Sequence, residues 1–76
     1  MDYIITGHAR VQMALRRVTE AEIEFVLQNY SMAYPADDGG TTLFALLGDG
    51  TSVRLWVVGG LPLEEPVIIK SLVGRG

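Results

Sequence analysis

Apolar and polar positions recur in two rhythms along this chain, and the change between them falls near residue 30. Before it the spacing is helical. Val11, Ala14, Leu15 and Val18 stand at i, i+3, i+4 and i+7, and Ile23, Val26, Leu27 and Tyr30 repeat that spacing. Each set marks one face of a helix. The two helices part at Thr19. Thr19-Glu20-Ala21-Glu22 has the form of a capping box, in which the hydroxyl accepts from the Glu22 N–H and the carboxylate reaches back to the Thr19 N–H. Glu20, Glu22 and Glu24 add negative charge at the positive end of the helix dipole. Thr6, followed by Gly7, is the candidate cap of the first helix. Residues 8–27 are therefore read as a helical hairpin.

After residue 30 the pattern turns to strands. Residues 31–35 form a short extended segment closed by Pro35, and Asp37-Asp38-Gly39-Gly40 is a turn cluster. Residues 41–47 make a strand with apolar side chains on both faces. Gly48-Asp49-Gly50 is a tight turn suited to positive φ. Residues 51–58 form the clearest strand, 59–66 a glycine- and proline-rich loop, and 67–73 the last strand. Residues 3–6, near the start, are either an edge strand or an extended lead-in. Gly74-Arg75-Gly76 is expected to fray.

The expected architecture is a single α+β domain over residues 1–76. A two-helix hairpin packs on one face of an antiparallel sheet of three to four strands, because each helix has an apolar stripe that must be covered. Val53, Leu55, Val57, Val67 and Ile69 form the sheet side of that core. Arg54, Trp56, Val58, Ile68, Lys70 and Leu72 form the other face, which is too apolar to be simply solvated.

Composition narrows the function. The chain has 76 residues, enough for one domain. It has no cysteine, which excludes disulfides and thiolate metal sites, and its one histidine excludes a histidine-based metal site unless carboxylates complete it. No cofactor is expected. The N-terminus lacks the basic and apolar regions of a secretory leader. The most apolar stretch, residues 53–63, is broken by Arg54, Gly59, Gly60 and Pro62 and falls short of the ~20 residues of a membrane helix. A cytoplasmic location with no membrane partner is expected. The net charge of −3 opposes broad binding to nucleic acid, which depends on neutralising phosphates, so RNA is a disfavoured partner. With 49% apolar residues in so short a chain, there is more apolar surface than one core uses, and a homodimer is expected.

The candidate chemistry sits on the first helix. His8, Gln12 and Arg16, at i, i+4 and i+8, lie nearly above one another beside the apolar stripe. Imidazole titrates near neutrality, so His8 is a candidate acid or base, and the Arg16 guanidinium suits a phosphate. Arg54 and Lys70 are candidate electrostatic helpers for RNA cleavage, and Tyr34 is the sole candidate for a second acid–base group. Trp56 with Arg54 and Lys70 has the makings of a base-stacking platform, although a core or dimer aromatic is the commoner role.

His8-Ala9, Met13, Arg16, Val18 and Thr19, followed by the acidic, apolar-striped helix, resemble the signature of a small prokaryotic family, domain of unknown function 4258. Its pattern runs roughly H-A-x-x-R-M-x-x-R-x-I-S/T. The likeness continues through Tyr34-Pro35, the Gly-Asp-Gly turn and residues 53–58. In order of elements the family resembles the RelE-like and BrnT-like ribonuclease toxins. The resemblance implies two helices followed by an antiparallel sheet, and more weakly ribonuclease activity and an antitoxin-like protein partner. The chain departs from the pattern at Gln12, where arginine is usual, at Arg17, where glycine is frequent, and at Lys70, usually small or β-branched. Without an arginine at position 12 a phosphate-binding charge is missing.

Two function classes follow. One is a metal-independent endoribonuclease of toxin–antitoxin type using His8 and Arg16. The other, ranked first given the acidity and Gln12, is a non-catalytic interaction module. In it His8 orders the helix start and Arg16 pairs with a carboxylate such as Asp37 or Glu24.

Overall fold

The computed structural model describes residues 1–73. In chain order the elements are β1 (Tyr3–Ile5), α1 (Gly7–Arg16), α2 (Glu20–Asn29), β2 (Met32–Pro35), β3 (Thr41–Leu46), β4 (Ser52–Val57) and β5 (Val67–Val73). The strands form one five-stranded sheet in the order β1-β5-β4-β3-β2. From β2 to β5 the sheet is an antiparallel meander, as its short turns require. β1 then pairs with β5 in parallel, Tyr3 opposite Val67 and Ile5 opposite Ile69. The α+β class holds, but the sheet is five-stranded and mixed, not an antiparallel sheet of three to four strands. The difference is β1, which is too short to show a period and is paired with the far end of the chain. The expected fraying of Gly74-Arg75-Gly76 lies outside the described residues.

The start of α2 forms as its sequence dictates. The Glu22 N–H donates to Thr19 Oγ1 at 3.2 Å, and the Thr19 N–H donates to Glu22 Oε1 at 2.9 Å. Ile23, Val26 and Leu27 are buried, while Tyr30 caps the helix and stays exposed. α1 opens at Thr6, whose Oγ1 accepts from the Ala9 N–H at 3.2 Å. The same hydroxyl donates to the Ile69 carbonyl at 2.9 Å, and the Thr6 N–H reaches that carbonyl at 3.2 Å. α1 closes with Arg17 in the left-handed region (φ 56°), and the Val18 N–H bonds back to the Met13 carbonyl at 3.0 Å. This is the hydrogen-bond pattern of a Schellman cap.

The rotation of α1 differs from that read from its apolar stripe. The helix lies on β5 through Ala9, which is fully buried, with Gln12 and Met13. Of the stripe, Val18 alone is buried; Val11 is 59% exposed, Leu15 77%, and Ala14 is exposed as well. The bonds from Thr6 to β5 fix where the helix begins and so which side meets the sheet. Ala9, with one methyl group, lets the helix backbone approach β5 closely, and a larger residue would hold it off.

Val53, Leu55, Val57, Val67 and Ile69 are all buried beneath the helices, together with Leu43 and Ala45. Between Trp56 and Val57 the β4–β5 register shifts: these residues oppose Ser71 and Ile69, so Lys70 is the extra residue of a bulge. After the bulge the alternation changes phase. Leu72, expected on the outer face, is fully buried, because Lys70 and Ser71 together occupy the outward side. Among the described residues no helix is long and apolar enough to cross a membrane.

Candidate functional site

His8, Gln12 and Arg16 share one side of α1, and the middle residue is committed to the fold. Gln12 Oε1 accepts from the Leu72 N–H at 2.8 Å and from the Ser71 hydroxyl at 2.9 Å. The need for it follows from topology. β1 ends at Ile5 opposite Ile69, so the rest of β5 has no strand along that edge. α1 passes there instead, and Gln12 supplies an acceptor. An arginine has five donors and no acceptor, so it cannot do this. Position 12 thus closes the edge of β5 in this chain.

His8 and Arg16 lie one turn to either side of Gln12, about 12 Å apart along the helix axis. Both are exposed. Arg16 pairs with neither Asp37 nor Glu24, and among the described residues neither it nor His8 has a hydrogen-bond or ion-pair partner. Glu24 Oε1 accepts from the Tyr3 hydroxyl at 2.8 Å, and Glu20 Oε2 accepts from it at 2.9 Å. The bond to Glu24 first, then partial burial and the Glu20 bond, hold the Tyr3 phenol far above its ordinary range. Arg10 lies 3.7 Å from Glu20.

Arg54, Trp56, Lys70 and Tyr34 fall on the opposite, outer face of the sheet. One row across it runs Met32, Phe44, Arg54 and Val73; the next runs Tyr34, Thr42, Trp56 and Ser71. Arg54 lies over Phe44, its guanidinium carbon 5.7 Å from the ring centre, so its charge rests on an aromatic face. Lys70 is ion-paired to Asp38, which sits on the β2–β3 turn. The turn thereby folds over Trp56, enclosing a shallow depression of about 320 Å³ with Ala36, Asp37 and Ser71. Gly40 allows this closeness, since a Cβ there would stand 2.5 Å from the Val57 carbonyl oxygen. Lys70, and then the Gly40 N–H at 3.0 Å, hold the Asp38 carboxyl below the ordinary carboxylate range. Lys70 thus ties a turn down and is not a free cation.

The seven residues singled out by sequence therefore divide between two places. His8, Gln12 and Arg16 border the β5 edge. Tyr34 stands on β2 at the far edge of the sheet, three strand spacings or about 14 Å from β5, and is not within reach of His8. Met32, Phe44 and Leu46 belong to the outer face and were not singled out; the apolar residues on both sides of residues 41–47 were the signal for Phe44 and Leu46. A depression of about 460 Å³ lies under the β4–β5 loop against Val58, Leu61, Pro62, Pro66 and Ile68, and contains none of the seven. Among the described residues no group of three or more His, Cys, Asp or Glu side chains is placed to hold a metal ion.

No family model, curated protein or solved structure matches the chain.

Proposed function

We propose that this chain is a non-catalytic, cytoplasmic interaction module that self-associates through the outer face of its sheet. The observation that carries this reading is that both helices cover the inner face, while the outer face keeps Met32, Tyr34 and Leu46 exposed beside half-buried Phe44 and Trp56. Apolar sheet faces are covered by packing against another layer about 10 Å away, and a second copy supplies one. The face also carries charges of both signs near opposite ends: Arg54 toward the β3–β4 turn and Asp37 in the β2–β3 turn. A two-fold axis running across the strands brings the Arg54 end of one face to the Asp37 end of the other.

The resemblance to domain of unknown function 4258 fits this reading and is supported by two placements. Arg17 occupies a left-handed position where the family pattern favours glycine, and Thr19 caps α2 where the pattern has serine or threonine. The alternative, an endoribonuclease using His8 and Arg16, needs a second acid–base group and cations free for phosphate. Tyr34 is too distant, Lys70 is paired with a carboxylate, and Arg54 lies on the face of the sheet opposite His8 and Arg16. The reading therefore includes no RNA cleavage.

A charge exchange tests it. Arg54→Asp and Asp37→Arg should each shift the protein toward monomer in size-exclusion chromatography with light scattering. The two substitutions combined in one chain should restore the dimer, since the unlike pair is re-formed with its signs exchanged. A combined variant no more associated than either single one contradicts the proposal.

A further inference from the structure

The outward face of α1 has no partner in the fold. Val11, Ala14 and Leu15, at i, i+3 and i+4, make a short apolar ridge, and Leu15 at 77% is the most exposed of the large hydrophobic residues described. Such spacing is how a helix presents anchors to another helix or a groove. The charge carried by α1 itself has one sign. α1 contains no acidic residue; its charged residues are Arg10 and Arg16, with Arg17 at its cap. This basic helix belongs to a chain of net charge −3. Arg10 is already met by Glu20, whereas Arg16 has no partner among the described residues.

Three occupants of the ridge are conceivable, and charge separates them. A second copy placing α1 against α1 opposes arginines to arginines. An anionic membrane favours a longer apolar face with aromatic anchors, while this ridge has two large aliphatic side chains. A partner helix with an apolar stripe flanked by carboxylates meets both features: the stripe takes Val11 and Leu15, and a carboxylate takes Arg16. We propose that α1 is a docking site for an acidic amphipathic helix of a partner protein. The surface is separate from the outer sheet face, so this inference goes beyond the self-association proposed above and does not depend on it.

The test uses the full-length protein and two synthetic fluorescein-labelled helical peptides of about three heptads. Both carry leucine at the stripe positions; one is flanked by glutamate and the other by lysine. Fluorescence anisotropy should show the glutamate peptide binding about tenfold more tightly or better. Leu15→Ser should weaken that binding about tenfold, as loss of an anchor does. Arg16→Glu should reverse the preference between peptides. Both substitutions are at exposed sites, and unchanged circular dichroism verifies that the variants are folded. Equal binding of the two peptides, binding by neither, or full binding to Leu15→Ser overturns the proposal. So does binding to phosphatidylserine vesicles with no binding to the glutamate peptide. The peptide result is read in both the wild type and the Arg54→Asp variant, so a failure of self-association leaves this test standing.

Discussion

A single side-chain oxygen closes the edge of β5. With Gln12 Oε1 removed, the Leu72 N–H lies part-buried and unpaired, and an unpaired donor of this kind costs about 1–3 kcal/mol. Gln12→Ala should lower the urea unfolding midpoint accordingly. Gln12→Arg should do the same, because it supplies no acceptor. Gln12→Glu, which keeps one, should retain most of the stability. A Gln12→Arg protein as stable as wild type would show that the edge needs no acceptor from α1. The spacing of His8, Gln12 and Arg16 was legible in the sequence; the duty of the middle residue was not. Its partners are 59 and 60 residues away, and no local pattern reports a contact at that separation. Lys70 is a similar case, since its ion-pair partner Asp38 is 32 residues away.

Among the elements, α2 and α1 show what local sequence specifies. The capping box of α2 lies within four residues, so the start and the buried face of that helix were both readable. α1 was readable as a helix with a Thr6 cap, but its rotation was not. Its most regular apolar stripe faces outward, and a face of Ala9, Gln12 and Met13 meets the sheet. The deciding contact is the anchoring of Thr6 to the Ile69 carbonyl, which is again remote in sequence. Paired substitutions separate the two rotations. Ala9→Leu should cost about 1–3 kcal/mol through overpacking against β5. Leu15→Ala should change stability by less than about 0.5 kcal/mol, as exposed positions do. The reverse order in thermal or urea unfolding would show that the Leu15 stripe docks. The bulge in β5 escaped for a related reason: strict alternation puts Leu72 outside, and one extra residue returns it to the core.

For the whole molecule, the apolar pattern specified two layers and the inner face of the sheet, and it left the parallel β1 unread. It also marked the second sheet face as too apolar for water, and the register places Met32, Phe44, Leu46 and Trp56 on that face. With Lys70 paired to Asp38 and the Arg54 guanidinium resting on the Phe44 ring, that face suits protein contact better than phosphate. Self-association through it is the central claim, and sedimentation equilibrium tests it most directly. Across the micromolar range the wild-type mass should rise from that of one chain to that of two. Met32→Glu and Leu46→Glu, both at positions more than half exposed, should keep the wild-type circular dichroism and stay at the mass of one chain. A wild-type protein that remains a single chain at several hundred micromolar, or two variants that dimerise as it does, would contradict the account.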